Sequence, residues 1–213
     1  MKDMKFVALW LCIVCVFMFI LQSIFPGLTD LLLLSKLNYL EFWRYLTAIF
    51  LHGSLGHLVY NLFALALFGF ILEGIISWKK FIFVFLGAGV FANLIAVGFY
   101  DSSLGASGAI FGIIGTLAVL RPKMTVWAFS LPMPMFLASI LWILGDMLGA
   151  VAFFSGSPLN NTGNLAHLSG VLFGIVYGFI IRSKFAEIKL PRYSVKLDEQ
   201  GMREWEDRFM RKY

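Results

Sequence analysis

The sequence predicts an all-α polytopic membrane protein, folded as a bundle of six transmembrane helices. Hydrophobic residues make up 60% of its 213 residues and charged residues only 14%, whereas average soluble chains carry about 25% charged residues. The charges gather at the ends of long apolar segments, and a bilayer span requires about 20 mostly apolar residues. A chain of this composition belongs in lipid.

The first expected span runs from Phe6 to Phe25, behind the short basic segment from Met1 to Lys5. No small-residue cleavage site follows the apolar run, so we expect a retained helix rather than a signal peptide. The segment from 26 to 50 contains too many charges for a span, and we expect a long external loop lying partly in the membrane interface. The other five expected spans cover residues 55–76, 81–100, 105–120, 126–153 and 165–182.

The connections between the spans predict the orientation. Lys79 and Lys80 follow the second span, Arg121 and Lys123 follow the fourth, and a basic tail follows the sixth, whereas the intervening connections carry only Asp101. Because positive residues accumulate on the cytoplasmic side, both termini are expected there. Residues 1–182 then form one six-helix transmembrane domain and residues 183–213 a basic cytoplasmic tail. The brief basic N-terminus favours a prokaryotic cell membrane.

The net charge of +5 could also suggest a nucleic-acid partner. The basic residues flank apolar spans, however, and are better explained as anchors attracted to anionic lipid. We therefore expect the lipid bilayer, and no nucleic acid, as a partner.

Polar side chains inside membrane spans are energetically costly, and each is a candidate functional residue. The second, fourth and sixth spans run in the same direction, and four polar residues lie near their starts. These residues should therefore share one depth in the outer half of the membrane. They are His57 and Asn61 in the second span, Ser107 in the fourth and His167 in the sixth.

Small residues predict which spans meet. Gly170, Gly174 and Gly178 share one helix face with His167, and the fourth span carries a second stripe formed by Gly108, Gly112 and Gly115. Glycines at this spacing let two helix backbones approach closely. Contact between the two stripes would bring Ser107 near His167.

That pair suggests acyl-transfer chemistry. A serine hydroxyl becomes a useful nucleophile when a neighbouring base takes its proton, and neutral histidine is the usual base. The developing oxyanion needs hydrogen-bond donors, and Asn61, His57 and the backbone N–H of Ser107 could supply them. Gly105 and Gly108 leave room beside Ser107 for a substrate backbone.

The chain resembles the rhomboid intramembrane serine proteases. The resemblance covers about residues 40–180 and rests on four motifs, in the family's order: Trp43-Arg44, His57-Leu-Val-Tyr-Asn61, Gly105-Ala-Ser107-Gly108, and Ala166-His167-Leu-Ser-Gly170 with Gly174.

The resemblance implies a six-helix core with a catalytic dyad, in which Ser107 is the nucleophile and His167 the general base. It assigns an oxyanion site to His57, Asn61 and the Ser107 amide, and a structural role to the Trp43-Arg44 loop. The implied substrates are transmembrane proteins, cut near the outer membrane face, with no cofactor or metal. It leaves the oligomeric state open. One departure is Phe111, where some rhomboids carry a tyrosine stacked on the histidine.

Two other functions remain open. One is an inactive rhomboid-like protein that binds transmembrane helices, although such proteins typically lack the serine or the histidine. The other is a small transporter or channel. The cytoplasmic half of the expected spans contains almost no polar residues, however, and so offers no polar path. Asp146 is conceivable as a third member beside His167. Because the resemblance implies a dyad, we leave Asp146 outside the catalytic set and expect structural roles for Glu73 and His52.

Overall fold

The structure is a computed structural model that describes residues 6–128, 130–156, 163–185, 202–204 and 206. The expected tail at 183–213 lies mostly outside the described residues. The chain is an all-α polytopic bundle. Its helices are α1 (Val7–Ile24), α2 (Leu28–Leu32), α3 (Arg44–Thr47), α4 (Leu55–Ile75), α5 (Trp78–Phe99), α6 (Ser107–Leu120), α7 (Met135–Phe154) and α8 (Asn164–Ile181), with 3-10 turns at Ala48–Phe50 and Arg182–Lys184.

Helix α6 lies at the centre of the bundle. Ten of its 14 residues are buried, and it packs against α4, α5, α7 and α8. The five other long helices have the length and composition of membrane spans, whereas α6 is shorter. At 1.5 Å per residue it measures about 21 Å, less than the roughly 30 Å of a bilayer core. If Arg121 marks one interface, α6 starts about 9 Å below the other.

The predicted start of the fifth span is wrong. Residues 126–128 and 131–134 do not begin a helix but belong to an antiparallel hairpin of β3 (Thr125–Ala128) and β4 (Leu131–Pro134). Pro132 and Pro134 explain the difference, because proline disfavours the helical conformation at the residue before it and cannot donate a helical hydrogen bond. Pro134 is the residue that precedes the helix, which begins at Met135.

The 26–50 loop is held together by polar contacts of the buried Arg44 and is joined to the bundle by a short strand pair. The guanidinium of Arg44, which is 6% exposed, donates to the carbonyls of Asp30 and Leu33 at 2.6 and 3.0 Å and pairs with Glu41. Strand β1 (Leu34–Ser35) pairs with β2 (Ser102–Ser103). The Trp43 side chain, by contrast, is 55% exposed.

Glu73 holds the first helix in place. Its two carboxylate oxygens accept the backbone N–H groups of Val7 and Ala8 at 3.0 and 3.1 Å. These amides belong to the first turn of α1, where the backbone has no helical partner. This contact provides the structural role expected for Glu73.

Candidate active site

Ser107 occupies the first position of α6, and the turn before it depends on glycine. Gly105 has a φ of +120°, a region that L-residues with a Cβ rarely adopt, and its N–H donates to the Ala48 carbonyl at 2.8 Å. The turn places Ser107 at the start of α6. The helix begins at residue 107 rather than at residue 105, the start expected from the sequence. There the N–H of Ser107 has no helical acceptor and can serve a negatively charged oxygen.

The contact between α6 and α8, which we call the α6–α8 seam, is made by glycine against backbone. A Cβ on Gly170 would collide with the carbonyl oxygen of Gly108, and a Cβ on Gly174 would collide with that of Gly112. The seam therefore brings the backbone next to Ser107 against the first turns of α8, where His167 lies. The glycine stripes found in the sequence do meet.

The imidazole of His167 lies flat on Phe111, one helical turn beyond Ser107. The two ring centroids are 4.4 Å apart and the planes differ by 9°. The His167 side chain is 14% exposed, so it is sheltered but reachable from one side. Within the described residues no hydrogen bond joins Ser107 Oγ to His167, a relaxed arrangement common in enzymes without substrate.

Asp146 reaches the same imidazole from α7. Its Oδ1 lies 3.0 Å from Nδ1 of His167, and the Asp146 side chain is 10% exposed. Asp146 was not expected in the catalytic set. The sequence did indicate that Asp146 lies in the outer half of a span, at a depth similar to that of His167. A single sequence does not show, however, which face of α7 meets α8.

His57 and Asn61 lie one turn apart on α4, beside the turn that carries Ser107. A Cβ on Gly105 would lie 2.6 Å from Cε1 of His57, so the imidazole rests directly on the Gly105 backbone. Asn61 is 7% exposed. Among the described residues its buried Nδ2 has no hydrogen-bond partner. A buried donor without an acceptor is costly in a folded protein and is available to a bound ligand.

His52 is a buried histidine that lies behind the partly exposed His57. The two rings form an edge-to-face pair with centroids 5.1 Å apart, and burial, helped by the proximity of His57, lowers the pKa of His52 to about 4. His52 is therefore neutral at physiological pH. Its main chain is fastened to Gln22, whose side chain accepts the His52 N–H at 3.0 Å, in keeping with a structural role.

Metal binding would need several ligating side chains in one place. Within the part of the chain that the structure describes, no three His, Cys, Asp or Glu side chains gather as a possible metal site. Asp146, His167 and His57 are arranged instead around the start of α6.

Comparison with known proteins matches the part of the chain that contains these residues. The Rhomboid domain family profile matches residues 39–184, which contain every residue of the candidate site. The chain is 33% identical over 143 residues to RHOMBOID-like protein 6, mitochondrial, of Arabidopsis thaliana, covering 66% of this chain and 44% of that protein. It is 28% identical over 143 residues to rhomboid protease GlpG of Haemophilus influenzae, covering 66% of this chain and 70% of the relative.

A third relative is rhomboid protease GluP of Bacillus subtilis, 32% identical over 138 residues, with 63% of this chain and 25% of the relative covered. The match thus spans less than half the length of the plant and Bacillus relatives. The profile nevertheless covers more than half of this chain, from the 26–50 loop to the end of α8. The chain belongs to the rhomboid family.

Proposed function

We propose that this rhomboid is an intramembrane serine endopeptidase that hydrolyses peptide bonds of transmembrane proteins. The observation that carries the proposal is the α6–α8 seam, which holds Ser107 at the free end of a buried helix next to a partly exposed His167. The named relatives include rhomboid proteases. Neither Ser107 nor His167 is fully buried, so substrate and water can approach both.

The reaction follows from these groups. Nε2 of His167 takes the proton of Ser107 Oγ as that oxygen attacks the scissile carbonyl carbon. The carbonyl oxygen becomes negatively charged and accepts hydrogen bonds from the Ser107 N–H and the Asn61 amide, with His57 beside them. His167 then gives its proton to the departing amine, the C–N bond breaks, and water hydrolyses the acyl-serine by the reverse proton path.

The short α6 supports a membrane-embedded position for the cut. If Arg121 marks one interface, α6 begins about 9 Å inside the bilayer core, and Ser107 would meet a substrate helix within the membrane rather than in solution. We place this end of the bundle on the outside and both termini in the cytoplasm of a prokaryotic cell, because Lys79, Lys80 and Arg121 lie at the opposite end.

The test is cleavage of labelled transmembrane-helix substrates by purified protein in detergent, compared with Ser107→Ala and His167→Ala. Each variant is expected to lose nearly all turnover, since members of a catalytic unit fail together. Equal cleavage by all three proteins would reveal a contaminating protease and sink the assignment.

The second candidate function is an inactive rhomboid-like protein that binds transmembrane helices. Within the described residues no hydrogen bond joins Ser107 to His167, an arrangement that substrate-free enzymes also adopt, so a cleavage assay has to distinguish the two functions. Folded parent protein that binds the substrate helices but cleaves none of them would select this alternative.

A further inference from the structure

Asp146 is the acidic side chain next to the proposed base, and the resemblance to the family assigns it no role. Its carboxylate oxygen lies 3.0 Å from Nδ1 of His167, a distance typical of a hydrogen bond. The residue is 8% exposed in the middle of an apolar helix. An acidic group inside the membrane is expensive to keep and is a candidate for function.

The packing of α7 on α8 is shaped to bring this carboxylate to His167. Asp146, Gly149 and Ala150 are the buried residues in the second half of α7, and their spacing of three and four places them on one helix face. A Cβ on Gly149 would collide with the side chain of Asn164. Glycine therefore allows the two helices to approach where Asp146 meets the first turn of α8.

Depth agrees with this contact. Asp146 lies eight residues before the end of α7 at Phe154, which places it about 12 Å along the helix from that end. The estimate for Ser107 is similar, at about 9 Å below the membrane interface at this end of the bundle if Arg121 marks the other interface. The acid, the imidazole and the hydroxyl thus occupy one layer of the bundle.

The chemistry of the contact fixes the proton on the imidazole. An ionised carboxylate can only accept hydrogen bonds, so beside an ionised Asp146 the proton lies on Nδ1 of His167 and Nε2 keeps a lone pair. A base that takes a proton from Ser107 needs that lone pair. When His167 becomes positively charged, the nearby carboxylate stabilises the charge, as the aspartate does in Ser-His-Asp enzymes.

We propose that Asp146 is a positioning residue that holds His167 in the Nδ1–H tautomer and in its orientation toward Ser107. The site then works as a serine–histidine pair with a supporting acid supplied by α7. This inference rests on the proposed function for its kinetic consequence, but the tautomer itself can be observed in protein that does not turn over.

The direct test is nitrogen NMR of protein labelled with 15N-histidine. The chain has three histidines, so the ring signals can be assigned by comparison with His167→Ala. At about pH 8, well above the ordinary histidine pKa of about 6.5, protonated and lone-pair ring nitrogens give well-separated signals. We expect protonated Nδ1 and lone-pair Nε2 at His167, and a shift toward protonated Nε2 in Asp146→Asn and Asp146→Ala.

Kinetics provide the second readout. Asp146→Asn keeps the shape of the side chain, and we expect kcat to fall by about 100-fold or more, with KM changed less than about twofold, because the wrong tautomer is costly in related triads. Ser139→Ala is the matched control. It removes a buried hydroxyl from the same helix, where Ser139 bonds only back to the Met135 carbonyl, and should leave kcat unchanged.

The possible results separate the two claims. A parent protein whose His167 carries its proton on Nε2, or an unchanged tautomer and kcat in folded Asp146→Asn, overturns the role of Asp146 even if the parent cleaves substrate. A parent that cleaves nothing refutes the proposed function, while the NMR spectrum still decides whether Asp146 sets the tautomer.

Discussion

The α6–α8 seam and the outer helices α1 and α7 are held to the bundle in different ways. In the seam, Gly170 and Gly174 place backbone against backbone, so that no side chain separates the two helices at these contacts. Helix α1 contacts the bundle mostly on one side. Only 11% of the residues in its span are buried, and 28% of those in the span of α7. These outer helices are fastened by polar contacts, Glu73 to α1 and Asp146 to α8.

Because of this difference, we expect the α6–α8 seam to be rigid and the outer helices to adjust more easily. Ser107 and His167 lie on the closely packed pair, whose geometry cannot relax without moving backbone. The acid that supports His167 lies on a helix with many exposed apolar side chains, including Leu144 and Leu148. The proposed nucleophile and base are therefore fixed by packing, whereas the proposed electrostatic support comes from a helix that faces lipid.

Substitution of Gly174 by alanine should break the seam and give the largest effect. The new Cβ would collide with the Gly112 carbonyl, which cannot move without shifting α6. We expect a loss of about 3 kcal/mol or more, at the upper end for overpacking, and loss of activity. Thermal unfolding in detergent, followed by circular dichroism, measures it.

The matched control is Gly145→Ala in α7, where a new Cβ meets nothing within 4 Å. This change should be neutral or raise stability by about 0.5–1 kcal/mol, because alanine favours helix over glycine. Equal destabilisation by both substitutions would contradict the contrast between the seam and the outer helices.

Gly105→Ala should weaken both stability and activity. Its positive φ would be strained by about 1–3 kcal/mol, and the Cβ would press on the His57 ring at 2.6 Å. We expect turnover to fall at least about tenfold, which corresponds to about 1.4 kcal/mol of activation free energy. A loss of stability with unchanged kcat in the folded fraction would show that His57 does not act in catalysis.

Glu73→Gln tests the attachment of α1 and should have the smallest effect. The neutral amide has one oxygen acceptor in place of two, so one of the Val7 and Ala8 amides loses its partner. We expect a loss of about 1–2 kcal/mol in thermal unfolding with kcat unchanged. Glu206→Gln, at an exposed position, is the control, and a fall in kcat at Glu73→Gln would mean that α1 influences the site.

Much of the fold and site could be predicted because residue types repeat at helical spacing. Glycine stripes and the residues of the four motifs are local features, and they predicted which helices meet around Ser107 and His167. The hairpin at 125–134 was missed because its hydropathy resembles that of a span, and only Pro132 and Pro134 distinguish it. The contact of Asp146 was missed because it depends on the rotation of α7 about its axis, which is set by Gly149 packing on Asn164.

The most direct test of the central claim is covalent labelling of Ser107. A fluorophosphonate should react with an activated serine, forming a bond from Oγ to phosphorus as fluoride leaves, and peptide mass spectrometry locates the adduct. The account predicts an adduct on Ser107 in the parent and none in His167→Ala. A folded parent that stays unlabelled at Ser107, or equal labelling without His167, would contradict it.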